Sequence, residues 1–503
     1  MSYVSATYLA VFLPLTMIFY QVMLKPYRWT VLLIASLIFF YLTSHWLLIF
    51  ILLATCIAYV AGRFLDDTSR LASLGIISLI GILVILKYSG FIVENVNSVA
   101  SNIGFSGVLQ FKKIGVPLGI SFYTLQAVSY VIDVKRKRFP AEKNIARLAL
   151  YLSFFPTIME GPIVNFAEVS STLFEGKRIS YTSLTLGTQR ILWGLFKKMI
   201  IADRLNPFVA AIFDNPILHN DGAIVLVGAI AYTIQLYMDF SGVIDISLGV
   251  AEIFNVRLIE NFRQPFFSRT AAEFWQRWHI SLGLWFKEYI FFPVLLSRPL
   301  KKINKKLRKK VNKHLTLVLV NAIALFFVWL CNGLWHGTGW RYVFFGMYYF
   351  VILTIANLSE PLIKKIYKFL KINPDWIIVQ AFQRFKLLFI VVIGEMFFRA
   401  NGLRYGLKMF YSIFMNFKLK SFSDGSLLKL SIEDLDFYVV FVGVLIVLIV
   451  SLLKERNIQL RLQIGLLPLP VRWSLYYGLI LFIVIFGAYG EGYAPVEAIY
   501  VGF

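Results

Sequence analysis

The chain has 503 residues, of which 59% are apolar, 17% are aromatic and only 15% are charged. A soluble domain of ordinary composition carries about 25% charged residues. The composition therefore excludes a soluble globular protein and indicates an integral membrane protein. Because the apolar stretches approach the spanning length of a helix, we predict an all-α, polytopic fold with about a dozen transmembrane or re-entrant helices.

The net charge of +23 would suit nucleic-acid binding if the basic residues formed one surface. They lie instead in the connections between apolar stretches, most densely at residues 298–313, where nine Lys and Arg residues occur without an acid. Cytosolic connections that face anionic lipid have this composition. We therefore predict a basic cytosolic loop at 298–313, and a lipid bilayer instead of nucleic acid as the partner. A secondary role in attracting an anionic cytosolic cofactor stays open.

The apolar stretches follow one another along the whole chain, with no soluble domain and no internal repeat between them. The first begins close to Met1 and is followed by Lys25 and Arg28, so the positive-inside rule places the N-terminus outside. We predict a single polytopic membrane domain over residues 1–503. The clearest apolar stretches are 3–24, 30–42, 47–61, 71–86, 223–236, 315–331, 342–358, 387–398, 437–453 and 474–488.

Sequence motifs for common cofactors and metals are missing from the chain. Its two cysteines, Cys56 and Cys331, both lie in apolar stretches without metal-ligand spacing, so we interpret them as core residues and predict no metal site. There is no glycine-rich phosphate loop and no Gly-x-Ser-x-Gly elbow.

A polar, glycine-rich patch, NGLWHGTGWR at residues 332–341, interrupts the apolar C-terminal half. His336 therefore lies where hydropathy predicts lipid or buried protein, and an ionisable side chain at that depth indicates a functional site. We expect Gly333, Gly337 and Gly339 to loosen the helix, which a membrane tolerates only where protein or a water-filled cavity covers the backbone. The alternative is a histidine that a neighbouring carbonyl satisfies.

A second histidine lies in an aromatic stretch, EFWQRWHISLGLWFK at residues 273–287. On one continuous helix, Trp275, Trp278, Leu282 and Trp285 would share an apolar face, and His279 would lie beside it. The residues alone favour a packed, hydrogen-bonded histidine. Of the other histidines, we interpret His45 as interfacial, beside Trp46, and His219 and His314 as solvated.

Acids and bases also occur within apolar helices. Asp239 and Asp245 lie in the apolar segment 231–249, where two buried acids indicate either an internal polar cavity or pairing with nearby basic residues. Lys197 and Lys198 lie in the segment 193–204, which we predict to be an amphipathic helix at the cytosolic face.

Several stretches together resemble the membrane-bound O-acyltransferase family, and most closely its bacterial branch that includes alginate O-acetyltransferase. They occur in the family's order and define a motif core at about 110–350. The stretches are VPLGISFYTLQAVSYVID (116–133), FFPTIMEGPI (154–163), GLFKKMIIADRLNP (194–207), QLYMDFSGVIDISLG (235–249), residues 261–293 and GLWHGTGWRYVFFG (333–346).

The resemblance implies a helical fold around a central funnel or tunnel, with an acyl thioester entering from the cytosol and the acceptor from the opposite face. The family's catalytic histidine corresponds to His336, and the second histidine of the bacterial branch to His279. Neutral imidazole is suited to act as the general base for an acceptor hydroxyl near neutral pH. Asn332, Trp340 and the Gly337 N–H are candidate oxyanion donors by their nearness in sequence.

The C-terminal residues 498–503, AIYVGF, resemble a tyrosine motif of polysaccharide-acylating members of the branch. This resemblance implies that Tyr500 carries the acyl group in an extracytoplasmic tail, 491–503, and that a partner transferase unloads it. An interfacial aromatic anchor is the alternative.

We therefore expect an acyltransferase of the bacterial plasma membrane that O-acetylates a cell-surface polysaccharide, with acetyl-CoA as a substrate and no bound cofactor. The alternative within the family is D-alanyl transfer from a carrier protein to teichoic acid. From other classes, an ion-coupled transporter that uses Asp239, Asp245 and His336, or a scaffold for polysaccharide export, stays open.

Overall fold

The computed structural model describes residues 1–64, 70–105, 109, 115–427, 430 and 433–489. Regular structure in these ranges is helical, apart from an isolated antiparallel bridge between Phe262 and Trp278. The all-α prediction is therefore confirmed. The tail 491–503 and Tyr500 lie outside the described residues.

The helices follow the apolar pattern of the sequence. Short π-helical and 3-10 segments join several of them, and π-helical turns cover Thr7–Phe12, Val84–Tyr88, Phe196–Ala202 and Lys287–Phe291. The α-helices are α1 (Leu13–Val22), α2 (Arg28–Ser44), α3 (Leu48–Arg63), α4 (Arg70–Leu83), α5 (Ser89–Asn102), α6 (Ile120–Lys135), α7 (Ile145–Ser153), α8 (Phe166–Leu173), α9 (Tyr181–Leu195), α10 (Asp203–Phe213), α11 (Gly222–Ile253), α12 (Ala271–Arg277), α13 (Ile280–Phe286), α14 (Phe292–Leu295), α15 (Arg298–Leu307), α16 (Lys313–His336), α17 (Trp340–Phe369), α18 (Ile377–Arg399), α19 (Leu403–Met415), α20 (Asp434–Glu455), α21 (Leu460–Gly465) and α22 (Leu469–Phe486).

Within the described ranges, eight helical segments are long and apolar enough to cross a membrane, or nine if the bent pair formed by Ile280–Leu295 and Arg298–Leu307 is one span. Thr7–Val22 is a shorter apolar helix. These segments support a multi-pass membrane protein, although the predicted count of about a dozen is not confirmed. The difference arises in part because the stretches 30–42 and 47–61 lie in one helical segment, Lys25–Arg63, and because Thr7–Val22 is short.

Helices extend beyond the apolar stretches that indicated them. The stretch 71–86 continues as helix to Asn102 through the π-helical turn Val84–Tyr88, beyond the point where the apolar sequence ends. Within the basic connection 298–313, residues Arg298–Leu307 form the helix α15. There, Ser297 caps the first turn through Leu300 N, and the Leu300 side chain is buried. Local capping therefore forms a helix that hydropathy does not detect.

Helix α11 is the centre of the fold. In its most apolar window 72% of the residues are buried, compared with at most 28% in every other candidate span. It packs closely against α9 because glycines face each other at two levels. A Cβ on Gly187 would lie 2.5 Å from the carbonyl oxygen of Gly249, and a Cβ on Gly194 would lie 2.5 Å from that of Gly242. Small residues at such crossings let helix backbones approach in a membrane.

Two hydrophobic clusters flank this central helix. One joins the N-terminal helices to α6, α7 and α9, and the other joins α10 and α11 to α16–α19. Tyr237 and Leu258 pack against both clusters. The stretch 254–281, which carries His279, therefore lies at the junction between the two halves of the core.

Candidate active site at two buried histidines

His336 is the last residue of α16, and its side chain is only 6% exposed. The helix stays regular through Gly333 and ends where the backbone becomes extended at Gly337. The expectation that the glycines loosen the helix is therefore wrong for Gly333, whereas Gly337 and Gly339 do lie in the break between α16 and α17. A Cβ on Gly333 would lie 2.4 Å from the Tyr342 carbonyl oxygen, and one on Gly337 would lie 2.3 Å from the Tyr342 ring. The glycines instead let α16 and α17 pack tightly behind the histidine.

Aromatic rings surround His336. The ring centroids of Trp335, Phe398 and Phe345 lie 5.0, 5.2 and 5.8 Å from the imidazole, each in an edge-to-face arrangement. Such packing holds an imidazole in one orientation and excludes water from it. The side chain also interacts electrostatically with His279 and with Lys87, which places both groups near it.

His279 does not lie on a continuous helix, so that prediction is wrong. Helix α12 ends at Arg277, Trp278 is extended, and His279 adopts a left-handed conformation, with φ of 47°, before α13 begins at Ile280. A non-glycine residue in this conformation is strained unless its surroundings hold it there. The bridge between Trp278 and Phe262 and the hydrogen bond from Ile280 N to Asn261 O, 3.0 Å long, hold this break.

Asn261 is fully buried, and it organises the break through its side-chain oxygen. Oδ1 accepts hydrogen bonds from Ser281 N at 3.0 Å and Ser281 Oγ at 2.9 Å, and it lies 3.3 Å from Nδ1 of His279. Because a backbone N–H can only donate, this atom must be the oxygen of the carboxamide. Nδ1 of His279 therefore carries the proton, and Nε2 presents a lone pair, as a general base requires. Nε2 has no hydrogen-bond partner within the part of the chain that the structure describes.

Trp335 joins the two histidines. Its ring centroid lies 5.7 Å from that of His279 and 5.0 Å from that of His336. The two residues predicted from the resemblance therefore come together in one buried site, although 56 residues of chain separate them. Phe240 of α11 closes the other side of His279 at 4.9 Å.

Two further residues of the site, Lys87 and Tyr88, were missed from the sequence. Lys87 Nζ donates to the carbonyl oxygen of Trp335 at 2.7 Å and to Ser121 Oγ at 3.1 Å, and the Tyr88 hydroxyl donates to the carbonyl oxygen of Leu334. The available indication was a lysine directly after the apolar stretch 71–86. Because the helix continues there, the ammonium is buried, with 8% exposure.

A cavity of about 920 Å³ approaches the site from one face, between α9 and the C-terminal helices α20–α22. Four basic and three acidic side chains line it. Arg190 pairs with Asp245 and Glu260, and Arg461 pairs with Glu252. The two basic residues that remain, Arg263 and Lys454, make no ion pair among the described residues. By the positive-inside rule, the Lys454 end of α20 lies at the cytosolic face. The cavity beside it therefore lies at that face too, and we call it the cytosolic cavity.

A smaller chamber continues inward from the cytosolic cavity to Tyr237, Ser241 and Phe262. Beyond it, Phe262 contacts Phe240 at a centroid distance of 5.1 Å, and Phe240 contacts His279. Tyr237 and Trp278 pack against the same ring of Phe262. We call Tyr237, Phe240, Phe262 and Trp278 the aromatic layer, since they separate the chamber from the histidines.

An outer cavity of about 100 Å³ approaches the site from the other face. Thr43 and Ser44, at the end of α2, line it together with Lys87, Ser121 and residues 116–120. Helix α2 begins beside Lys25, and α16 begins after the basic helix α15, so both start at the cytosolic face and end at the outer face. His336 and the outer cavity therefore lie toward the outer face.

Neither histidine ring lines the cytosolic cavity, its chamber or the outer cavity. The expected continuous funnel is therefore not seen among the described residues: two separate cavities approach the histidines, and the aromatic layer and Lys87 lie between them. Both approaches end one or two side chains short of the imidazoles.

The acids of α11 form ion pairs, as one of the two interpretations of the sequence expected, and Asp245 also lines the cytosolic cavity. Asp245 Oδ2 lies 2.6 Å from Lys197 Nζ, and Lys198 Nζ lies 2.7 Å from both Asp239 Oδ1 and Asp203 Oδ1. Both lysines are buried, so the predicted interfacial amphipathic helix at 193–204 is wrong. The positive and negative charges of these side chains neutralise one another inside the fold, which buried charges require.

Other predicted residues lie away from the reaction centre. Trp340 is 57% exposed and donates to Asn95 Oδ1 at 3.0 Å, so it does not face His336. Asn332 is buried one helical turn before His336. His219 is not solvated as expected: its Nε2 lies 3.1 and 3.2 Å from the carbonyl oxygens of Ile212 and Phe213, and burial lowers the pKa of its imidazole.

Comparison with protein families gives a match over about half of the chain. The model of MBOAT, the membrane-bound O-acyltransferase family, matches residues 138–398. The match contains Asn261, His279 and His336, and it extends beyond the predicted motif core of 110–350 through α18.

Comparison with individual proteins finds relatives whose names differ in the acyl group that is transferred and in the acceptor that receives it. The probable alginate O-acetylase of Pseudomonas aeruginosa is 30% identical over 428 residues, which cover 82% of this chain and 75% of that protein. The peptidoglycan O-acetyltransferase of Helicobacter pylori is 27% identical over 363 residues, covering 67% and 63%. The teichoic acid D-alanyltransferase of Bacillus subtilis is 31% identical over 266 residues, covering 51% and 62%.

Proposed function

Because the chain belongs to the membrane-bound O-acyltransferase family and is an acyltransferase, we propose that it O-acetylates a cell-surface polysaccharide at the bacterial plasma membrane. Acetyl-CoA in the cytosol donates the acetyl group. A partner transferase outside the membrane delivers this group to the polysaccharide. The observation that carries the proposal is the position of two buried histidines between a cytosolic cavity lined by four basic side chains and an outer cavity.

The cytosolic cavity fits the donor in charge and shape. Ligand sites of about 300–1,000 Å³ are common, and this cavity lies within that range. Arg263 and Lys454 would bind the phosphates of acetyl-CoA, since both line the cavity and are exposed. The narrow chamber beyond would take the pantetheine arm, and rotation of the rings in the aromatic layer would admit the thioester to His279 and His336.

The histidines supply the proton transfers. His336 takes the proton of the acceptor hydroxyl while the hydroxyl oxygen attacks the thioester carbonyl carbon, so a C–O bond forms. The C–S bond then breaks, and the imidazolium returns the proton to the departing thiolate of CoA. His279, held as a neutral imidazole by Asn261, presents Nε2 as a second hydrogen-bond acceptor at the reaction centre. The products are an acetyl ester and free CoA.

The acceptor at the outer face is either the hydroxyl of a partner or the phenol of Tyr500. In the second case acetyl-Tyr500 is an intermediate that the partner transferase unloads. Phenol has a pKa of about 10 and is mostly protonated at neutral pH, so it needs a base such as His336. The resemblance of AIYVGF to the branch's tyrosine motif supports this route.

D-alanyl transfer is the second candidate, because the Bacillus subtilis relative carries that activity in its name and is 31% identical over 266 residues. Acetyl transfer is favoured because the Pseudomonas aeruginosa relative aligns with 82% of this chain, and the Bacillus subtilis relative with 51%. An ion-coupled transporter is disfavoured, since Asp239 and Asp245 are held in ion pairs with lysines.

The test uses inside-out native membrane vesicles, which retain the partner and the acceptor, supplied with acetyl-CoA, and measures free CoA together with acetyl adducts on the protein by mass spectrometry. We expect CoA release that is lost in His336→Ala. A matched control is His314→Gln, which changes a histidine far from the site. CoA release that survives in His336→Ala would contradict the proposal. Activity only with a D-alanylated carrier protein would support the second candidate instead.

A further inference from the structure

The last carbonyl groups of α16 accept hydrogen bonds from side chains of another segment. The last carbonyl groups of a helix have no partner within it and need one elsewhere when they are buried. Here the carbonyl oxygen of Trp335 accepts from Lys87 Nζ at 2.7 Å, and the carbonyl oxygen of Leu334 accepts from the Tyr88 hydroxyl. His336 is the next residue, so its backbone position depends on these two bonds.

The π-helical turn Val84–Tyr88 carries both hydrogen-bond donors. Neighbouring residues of an α-helix point about 100° apart, so two in succession seldom reach the same partner. In the wider π-helical turn both Lys87 and Tyr88 contact the end of α16, and the ammonium lies 5.7 Å from the Tyr88 ring centroid. Single π-helical turns of this kind occur frequently at functional sites.

A lysine is a costly residue for this position. The ammonium of Lys87 is buried inside a membrane protein, where a neutral donor would bind a carbonyl at a lower desolvation cost. A cation gains extra stabilisation here because the C-terminal end of a helix carries partial negative charge. The same ammonium lines the outer cavity and binds the residue directly before His336.

We propose that Lys87 is a positioning residue for acyl transfer, which fixes the C-terminus of α16 and thereby the imidazole of His336 at the inner end of the outer cavity. Tyr88 assists through the preceding carbonyl. Ser121 Oγ accepts a hydrogen bond from Lys87 Nζ. Among the described residues no hydrogen bond joins Ser121 to α16, so Ser121 positions the ammonium and does not position the histidine directly. This inference rests on the proposed function only for its catalytic consequence.

The first measurement separates kcat from KM for acetyl-CoA in Lys87→Met, Lys87→Arg and Ser121→Ala. A misplacement of about 1 Å can lower a rate by about 10²-fold. We expect Lys87→Met to lower kcat by about 10²-fold with little change in KM, because the donor binds at the opposite face. Lys87→Arg retains the donors and the charge and should recover most of kcat. Ser121→Ala removes one acceptor of the ammonium and leaves its bond to α16, so it should lower kcat less than Lys87→Met.

The second measurement does not depend on activity. Carbethoxylation of His336 by diethylpyrocarbonate is followed by peptide mass spectrometry, with His219 in the same protein as a buried reference. We expect faster labelling of His336 in Lys87→Met and unchanged labelling of His219. Unchanged labelling of His336, or a wild-type kcat in Lys87→Met, would overturn the inference.

If Lys87→Met does not fold, as judged by gel filtration and melting temperature, Tyr88→Phe and Lys87→Arg replace it. Tyr88→Phe removes one of the two bonds and should lower kcat and accelerate His336 labelling to a smaller extent, while equality with wild type in both would overturn the inference. Failure of the wild-type protein to release CoA would contradict the proposed function, whereas the labelling result would still decide whether Lys87 positions His336.

Discussion

The carboxamide oxygen of Asn261 lies 3.3 Å from Nδ1 of His279 while it accepts a hydrogen bond from the backbone N–H of Ser281. This relationship fixes which nitrogen of His279 carries the proton, and it holds the left-handed break between α12 and α13. A second residue that orients a reactive imidazole in this way commonly contributes about 10- to 100-fold to the function of the site.

Asn261→Leu should therefore lower kcat by about 10- to 100-fold, because the His279 ring loses its orientation and its fixed tautomer. Asn261→Asp keeps the acceptor oxygen and should retain more activity than Asn261→Leu. The measurement is steady-state CoA release at saturating acetyl-CoA. Equal activity in Asn261→Leu and the wild type would show that His279 needs no such partner.

Arg263 and Lys454 should contribute to donor binding and not to chemistry. A hydrogen bond to a charged group is worth about 1.5–3 kcal/mol, so Arg263→Ala and Lys454→Ala should each raise KM for acetyl-CoA by about 10-fold or more. kcat should change little, and the effect should weaken at high salt because both side chains are exposed. Lys305→Ala, on the exposed surface of α15, is the matched control. A loss confined to kcat would place the donor elsewhere.

Asp245 should matter for stability. Asp245→Asn leaves Lys197 buried without its carboxylate, which typically costs about 3–5 kcal/mol. Lys197→Met should cost less, since Asp245 keeps Arg190 at 3.0 Å. Chemical or thermal unfolding in detergent compares the two variants. If Asp245 were an ion carrier instead, Asp245→Asn would leave stability unchanged and abolish proton-coupled uptake into liposomes.

Tyr500 should carry the acetyl group. After incubation with acetyl-CoA, mass spectrometry of the C-terminal peptide should find an acetyl adduct on Tyr500 in the wild type and none in Tyr500→Phe, since the phenol oxygen is the acceptor. Surface acetylation in cells should fall in the same variant. Tyr493→Phe, in the same tail, is the matched control. Full surface acetylation in Tyr500→Phe would favour an interfacial anchor.

The sequence predicted the helical membrane fold and both histidines for different reasons. The helical fold follows from hydropathy, because a bilayer leaves the backbone few alternatives. His336 is detectable from its residues alone, since a polar patch interrupts an apolar stretch. His279 was selected only through the resemblance, because a histidine beside tryptophans at helical spacing is the usual appearance of a packed residue.

Interactions between distant segments could not be predicted. The role of Asn261 depends on a turn that brings it to Ser281, and the hydrogen bonds of Lys87 reach a residue 248 positions away. Hydropathy also predicted that the apolar stretch 71–86 ends at Leu86, since Lys87 and Asn95 are polar. In the structure, tertiary packing continues the helical segment to Asn102. Local propensity is a weak guide where such contacts decide the structure.

The central claim is that a small acyl group crosses at His336 and His279 while its carrier stays in the cytosol. It is tested most directly in inside-out native membrane vesicles that receive acetyl-CoA with one radiolabel on the acetyl group and another on CoA. The acetyl label should appear in the vesicle lumen, and the CoA label should stay outside. Vesicles with His336→Ala should transfer neither label. Lumenal accumulation of both labels together, or acetyl transfer that persists in His336→Ala, would contradict the account.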